Sequence, residues 1–378
     1  MTPSRAAVSV LLWIVGSFLL CKIPTIRRKA RGDACSGQWP RLSVIIPARN
    51  EASRISVLLT SLTKQLAVPY ETIVVDDGSS DGTADVAQDL GATVLSGQVL
   101  PAGWSGKNWA CWQGAEHSTG ELLLFLDADT WLEPDATISL MQAHMAKKGL
   151  LTVQPYHVTC AAYEQASAFF NIVLMAAINA FTPLRRWLRP GGGFGPCMLC
   201  GREEYFALGG HSMVKGEVLE EIALAARASR QGLPVTCYGG RGAISFRMYP
   251  NGFRDLVEGW SKGFGSGAFA VQIPFLLLTI AWVTGCFRAW VDPLRVLLTP
   301  GMPGIALAAL VYILYALQVA WMLARIGRFR WWTSAFFPIP LVFFALIMVR
   351  SLVLIHVLRR VKWRGRTVTI SPRKTESP

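Results

Sequence analysis

Charge is scarce in this chain. Asp, Glu, Lys and Arg make up 16% of its 378 residues, against 52% hydrophobic residues, a balance too apolar for an ordinary soluble enzyme. Acids are the scarcer sign, 24 against 37 Lys and Arg, leaving a formal net charge of +13. The basic residues form no stripe interleaved with aromatics, as a nucleic-acid surface would need. They cluster beside apolar runs, as in membrane proteins, so a bilayer is expected as partner and nucleic acid is not. A cysteine framework is also missing. Cys21, Cys35, Cys111, Cys160, Cys197, Cys200, Cys237 and Cys286 are scattered along the chain, which argues against a disulfide scaffold. Cys197 and Cys200 make a lone CxxC with no second pair and no thioredoxin-like context. They are read as buried reduced thiols.

The pattern of a cleaved leader is absent too. Residues 6–21, AAVSVLLWIVGSFLLC, are apolar, but Lys22, Arg27, Arg28, Lys29 and Arg31 follow the run rather than precede it. That order predicts an uncleaved transmembrane anchor over 1–25 with its C-terminal side in the cytoplasm. Three further apolar segments lie at about 273–290, 304–324 and 335–357, each near the roughly 20 residues needed to cross a bilayer. Arg325, Arg328 and Arg330 suit a cytoplasmic loop between the last two. Counting onward puts the basic tail, 359–378, outside, against the positive-inside trend. The last segment holds Pro338, Pro340 and Arg350, so it is read either as a span or as re-entrant or interfacial. A multi-pass protein of the cell membrane follows, with a cytoplasmic domain over 40–265 and a transmembrane region over 271–358.

Within 40–265 the apolar pattern changes. RLSVIIPARNE (41–51), ETIVVDDGSSDGTADVA (71–87) and ELLLFLDADTWLEPDA (121–136) each read as a buried strand, a polar loop and a helix start. Ser79, Ser80 or Asp81 is a candidate helix cap in the second. Repetition of that unit predicts an α/β fold with parallel strands, in which ligands sit beyond the carboxyl ends of strands. Helix capping alone would explain one acidic cluster but not three on successive strand ends. Asp127 and Asp129, two apart, project to the same side of an extended strand end. Two hard oxygen ligands there suit Mg²⁺ or Mn²⁺ with positions left for water and phosphate oxygens.

VIIPARNE, VVDDGSSDGT and FLDADT together resemble the nucleotide-sugar half of a family 2, GT-A-type glycosyltransferase over roughly residues 40–265. The resemblance implies a GT-A domain with a mixed, mostly parallel sheet. It places Pro47, Arg49, Glu51, Asp76 and Asp77 at the nucleotide sugar, and has Asp127 and Asp129 carry the metal that bridges the diphosphate. PAGWSGKNWACWQGA (101–115) resembles a lipid-pathway branch of that family, the diaponeurosporenoate and hopanoid-associated glycosyltransferases. Lys107 is a point charge suited to a phosphate or the nucleotide. Trp104, Trp109 and Trp112 form either an apolar wall or core.

In this family an acidic pair, usually Glu-Asp or Asp-Asp, supplies the base for an inverting displacement. The matching stretch is GEVLEEIALAA (216–226), with Glu221 where the family usually has Asp. The extra methylene carries its carboxylate about 1 Å further, a distance that matters for near-attack geometry. Helical phase puts Val218, Leu219, Ile222 and Ala226 on one face, Glu217 and Glu220 away from it, and Glu221 at its edge. Glu221 is therefore nominated as the base and Glu220 as its neighbour, with Glu217 as a helix-start charge. A carboxylic acid acceptor is already ionised near neutrality and needs a base less than a hydroxyl does, so the substitution leans toward a lipid acid.

A span at 165–181 would put the metal pair and Glu221 on opposite sides of the membrane, so that stretch is read as interfacial or as a buried wall of the acceptor pocket. At 246–268 the Gln-x-x-Arg-Trp of processive members is absent. Trp260 and Lys262 remain candidates for the acceptor and diphosphate side. Gly191, Gly192, Gly193 and Gly195 suggest a flexible loop over the acceptor. The expected enzyme transfers one hexose from UDP-hexose, first choice UDP-glucose, with Mg²⁺ or Mn²⁺, to a membrane lipid. A carotenoid acid such as 4,4'-diaponeurosporenoate is the first choice of acceptor, and a hopanoid, sterol or diacylglycerol type the second.

Overall fold

The computed structural model describes residues 1–26, 39–217, 219–267, 272–299, 304–356, 360–363 and 366–369. Arg27, Arg28, Lys29 and Arg31, expected to flank the anchor, lie outside them, as does most of the basic tail. A first helix, α1 (Pro3–Leu19), precedes the strand-and-helix units: β1 (Leu42–Ala48), α2 (Ala52–Thr63), β2 (Glu71–Asp76), α3 (Thr83–Asp89), β3 (Thr93–Ser96), α4 (Gly106–His117), β4 (Leu122–Leu126), β5 (Thr130–Leu132), α5 (Ala136–Lys147) and β6 (Leu150–Gln154). Then come β7 (Tyr156–Val158), α6 (Ala168–Ala177), β8 (Cys197–Gly201), α7 (Arg202–Ala207), α8 (Glu220–Arg230), β9 (Val235–Gly239), β10 (Ile244–Phe246) and α9 (Phe253–Gly267). The chain closes with α10 (Ile273–Leu298), α11 (Ile305–Ile326), β11 (Gly327–Arg328), α12 (Trp331–Ala335), α13 (Pro338–His356) and a hairpin, β12 (Arg360–Trp363) with β13 (Arg366–Thr369).

The buried apolar runs form a seven-stranded sheet, β3-β2-β1-β4-β8-β6-β9. β3, β2, β1 and β4 are parallel, β8 is antiparallel to both its neighbours, and β6 and β9 are parallel. This is the mixed, mostly parallel sheet expected. Continuous burial along β1 and β4 reflects helices on both faces. Gly114 lets α4 lie directly on the sheet, since a Cβ there would stand 2.5 Å from Ile45 Cγ2. Cys197 and Cys200 are free and buried on β8. Their three-residue offset sends them to opposite faces of the sheet, one packing with Val44 and Leu124, the other with Phe125 and Tyr205. They do not form a CxxC pair, and burial pushes both thiols well up. A second sheet, β11-β7-β10-β5, ties the end of α11 to the strand-bearing half through β11 and β7.

α10 and α11 are long and apolar enough to cross a membrane; α1 and α13 are shorter apolar helices. α1 and α11 run parallel and in direct contact, with α10 packed antiparallel against both. Tyr315 OH donates to Ser9 O at 2.8 Å, Gln318 Nε2 to Trp13 O at 2.7 Å, and Arg325 Nη1 to Leu20 O at 2.6 Å. Gln318 Oε1 accepts from Trp282 Nε1 of α10 at 2.9 Å, and Arg5 of α1 pairs with the buried Asp292 of α10. Satisfying such groups between helices is what a low-dielectric surrounding requires. The 165–181 stretch forms a 3-10 turn and α6, with Phe169, Phe170 and Ile172 fully buried where the sheets meet the helices. α13 packs along α9, with Ser351 Oγ donating to Ser261 O at 2.7 Å and Phe343 against Phe253.

Gly16 of α1 packs directly against Trp282 of α10. A Cβ there would come within 2.2 Å of Trp282 Cδ1. Gly16→Val should therefore destabilise the purified protein by about 1–3 kcal/mol through overpacking, read as a lowered Tm in detergent. Leu11→Val, on the outward face, should leave Tm unchanged; equal Tm values for both variants would contradict this packing.

Candidate active site

Three polar segments meet at the carboxyl ends of β2, β1 and β4, as the strand pattern requires. After β1, Asn50 takes a positive φ of 52° and turns the chain into α2. Arg49 Nη1 reaches Asp77, donating to its backbone oxygen at 2.9 Å and to Oδ2 at 3.1 Å. Asp76 accepts from Ser79 N and Oγ, and Asp81 caps Thr83 N at 3.1 Å, so Asp76 and Asp81 hold the loop while Asp77 faces Arg49. Pro47 lies in register with Val75 of β2. Glu51 is buried and pairs with Arg54 at 3.1 Å. Arg54 in turn stands 3.7 Å from Asp255 of α9.

Asp127 and Asp129 flank the buried Ala128 and are both half-buried. Burial, then the Asp127 and Glu51 carboxylates, push Asp129 up to about 7, against the pull of Arg54 and Lys107. Such a group is short of positive charge, and a divalent cation would relieve it. Among the described residues no group of three or more His, Cys, Asp or Glu could by itself hold a metal ion. The protein thus offers two carboxylates, a donor set that fits Mg²⁺ or Mn²⁺ sharing its remaining positions with phosphate and water.

Lys107 joins this strand end to α8. Its Nζ stands 2.8 Å from Asp127 Oδ1 and 3.0 Å from Glu220 Oε1. Burial works against the ammonium, but Asp127, Glu220 and Glu221 outweigh it and hold Lys107 well above its ordinary range. The N-terminus of α4 is built for this. Ser105 caps it at Asn108 N, and the Asn108 amide donates to the backbone oxygens of Val214 and Lys215, clamping the loop that leads into α8. Trp104, Trp109 and Trp112 pack on one another nearby, at ring separations of 5.0 and 6.3 Å from Trp104.

α8 begins at Glu220, so Glu217 lies before the helix rather than in its first turn. Helical phase placed Glu220 away from the buried face; it is in fact 5% exposed. The ion pair with Lys107 overrides the apolar phase, because a buried carboxylate needs a partner. Glu221 is half-buried and lies against Gly195, 3.2 Å from where a Cβ would stand. Burial, then Glu220, push its carboxyl up to about 8. The glycines before it are a fitted strap rather than a loose loop: a Cβ on Gly192 would meet Ile222 at 2.9 Å, and one on Gly193 would meet Thr152 at 2.9 Å.

The structure thus brings together ten of the expected residues: Pro47, Arg49, Glu51, Asp76, Asp77, Lys107, Asp127, Asp129, Glu220 and Glu221. Trp260 is elsewhere. Its ring is buried, stacked on Phe170 at 4.6 Å with Nε1 donating to Ser167 Oγ, so it builds the apolar wall behind the site. The Lys262 side chain lies outside the described residues. Sequence reasoning missed Arg54, Asp255 and Arg247, whose backbone N–H donates to Asp129 O at 3.3 Å. Only Arg54 carried a signal, its i,i+3 spacing from Glu51.

Residues 43–208 match Glycosyl transferase family 2. The 4,4'-diaponeurosporenoate glycosyltransferase of Staphylococcus aureus (strain MRSA252) is 37% identical over 349 residues, 91% of this chain and 92% of its own. The protein of that name in strain N315 is 37% identical over 334 residues, 87% and 88% of the two chains. Among solved structures, a mannosyltransferase from Pyrobaculum calidifontis in complex with GDP-Man and Mn2+ superposes with a TM-score of 0.54 at 17% identity, covering 93% of this chain and 95% of that one; that likeness concerns the fold. With a relative this similar across nearly its whole length, and with its sheet and acidic strand ends in place, the chain belongs to glycosyl transferase family 2 and carries the GT-A fold.

Proposed function

We propose that this glycosyltransferase moves one hexose, with inversion, from a UDP-hexose such as UDP-glucose to the carboxylate of a membrane-dissolved carotenoid acid of the 4,4'-diaponeurosporenoate type. One observation supports the reading: a single ammonium, Lys107, touches both Asp127 and Glu220, so a donor held at Asp127 and an acceptor held at the start of α8 would converge on one point. Arg49, Asp77, Pro47 and Glu51 would bind the nucleoside. Asp127 and Asp129 would hold Mg²⁺ or Mn²⁺, which when bound neutralises the diphosphate. Lys107 would remain beside the diphosphate as a second positive charge. Absence of the Gln-x-x-Arg-Trp element counts against a processive synthase, and the S. aureus relatives favour a carotenoid acid over a hopanoid, sterol or diacylglycerol acceptor.

Glu221 supports a carboxylate acceptor in a further way. With its carboxyl pushed up to about 8, it is protonated near neutrality. A protonated Glu221 donates a hydrogen bond to an incoming carboxylate, where an ionised one would repel it. A hydroxyl acceptor would instead need Glu221 ionised as base.

The membrane arrangement is part of the same proposal. α1, α10 and α11 would cross the bilayer with the catalytic domain cytoplasmic. α13, running along α9 beside that domain, would not add a crossing. The basic tail then stays cytoplasmic, in keeping with the positive-inside trend.

Three outcomes are expected. Asp129→Ala should lower Mn²⁺-dependent hydrolysis of UDP-glucose by about 100-fold or more, measured as UDP release; unchanged release would remove the metal role of the pair. For the carotenoid acid, wild-type kcat/KM should fall as pH rises through about 8, because the protonated form is the one lost. Glu221→Gln should keep turnover within about 10-fold and abolish that fall; a rate that rises through the same range, and is lost in Glu221→Gln, would mean a hydroxyl acceptor. A protease site appended to the C-terminus should be cut in inverted vesicles and protected in right-side-out ones, and the opposite pattern would make α13 a span.

A further inference from the structure

Between α6 and the glycine strap runs PLRRWLRP, residues 183–190. Pro183–Arg186 is a 3-10 turn. Beyond it Trp187 is 77% exposed, with Leu184 and Leu188 at 39% and 38%. Three apolar side chains on one short loop are out of place facing water. Their surroundings say what they face. Lys22 N donates to Phe181 O at 3.0 Å and Arg185 Nη1 to Lys22 O at 3.2 Å, which ties the segment to the end of α1. That end is level with the end of α11, where Arg325 donates to Leu20 O. On the other flank, Asn179 Oδ1 accepts from Gly191 N at 3.1 Å and its Nδ2 donates to Gln272 Oε1 at 3.0 Å, and Gln272 immediately precedes α10. The segment is thus pinned at the catalytic-side ends of all three apolar helices. Among the described residues Lys22, Arg185 and Arg189 have no carboxylate partner.

We propose that Leu184, Trp187 and Leu188 form an interfacial anchor that enters the headgroup layer of an anionic bilayer, with Lys22, Arg185 and Arg189 meeting its phosphates. Tryptophan beside apolar and basic residues is suited to that depth, where one edge of the ring is wet and the rest is not. The consequence reaches the site. Gly192, Gly193 and Gly195 follow directly and lie on Ile222, Ala225 and Glu221, so the anchor holds the start of α8 against the membrane surface, where an apolar acceptor resides. The inference rests on the reading of α1, α10 and α11 as bilayer-crossing.

The test uses the full chain with Cys21, Cys35 and Cys160 replaced by Ser, spin-labelled singly at Leu188→Cys, at Val99→Cys or at Leu11→Cys, in phosphatidylglycerol vesicles. Power saturation reads depth from accessibility to oxygen against a water-soluble nickel chelate. The label at 188 should favour oxygen, that at 99 on the soluble domain should favour nickel, and that at 11 on the outward face of α1 should favour oxygen most. Replacing phosphatidylglycerol by phosphatidylcholine should shift 188 toward nickel and leave 11 unchanged. If 188 behaves like 99 while 11 stays immersed, the anchor is wrong and the helices stand. If 11 is also open to nickel, the membrane reading itself fails. A label at 188 that is equally immersed in both lipids overturns the role of the three basic residues. In unlabelled protein, Trp187→Ser should raise KM for the membrane acceptor about 10-fold and leave UDP-glucose hydrolysis unchanged; an equal loss in both activities would overturn the link to α8.

Discussion

The Lys107 ammonium is the contact on which the rest of the site depends. Asp127, Asp129, Glu220 and Glu221 converge in a half-buried space, and like charges there cannot all persist without a cation. Lys107 supplies it from the first turn of α4, standing between the strand end and the start of α8. The neighbouring residues serve the same turn. Ser105 caps it, Asn108 grips the loop into α8, and Gly114 lets the helix sit close on β1. An apolar side chain at 107 would leave the half-buried Asp127 and the buried Glu220 uncompensated, which is more costly than the loss of one ion pair.

Much of the sheet was legible because its signals are local. Continuous apolar runs, Pro47 and acidic strand ends name β1, β2 and β4 without reference to distant residues. Asp127 and Asp129 were legible as acids at a strand end, but strand alternation is not what places them: β4 stops at Leu126, and Ala128 and Asp129 lie in a turn in which Thr130 N donates to Asp127 O at 3.1 Å. The roles of Glu220 and Glu221 were only half legible. Helical phase reports where apolar residues face, and it reads a buried, paired glutamate as a solvated one. What buries Glu220 is a lysine 113 positions earlier in the chain, and no window of sequence contains both. The glycines at 191–195 were misread for a related reason. Glycine permits flexibility and close approach alike, and only the partners Thr152 and Ile222 decide which applies.

The apolar half shows the same division. Composition and length named α10 and α11, but not the partner of α13. Its proline-bearing start and its contact with α9 place it beside the catalytic domain, and with Phe170 and Trp260 it forms an aromatic stack in which Phe343 and Phe344 meet Phe170 edge-on. Trp260 therefore does structural service one layer behind the residues that line the site. β11 adds a second tie, pairing the chain just after α11 with β7. Two independent ties make relative movement of the helices and the sheet costly.

That rigidity bears on the reaction. On the proposed reaction, an acceptor dissolved in a bilayer would bring only its polar end to the surface, where water competes for every charge. The site answers by burying its acids rather than exposing them, so that Asp129 and Glu221 both titrate near neutrality. Charges that are weakly ionised at rest are stabilised only when a cation or a hydrogen-bond acceptor arrives, and interactions gained at that moment favour bound donor and acceptor over water. A flexible junction would let solvent in and relax both carboxyl groups toward their ordinary values. The scarcity of acidic residues in the chain and their concentration at this point are in that sense one property: the few carboxylates are placed where burial, not number, sets what they can do.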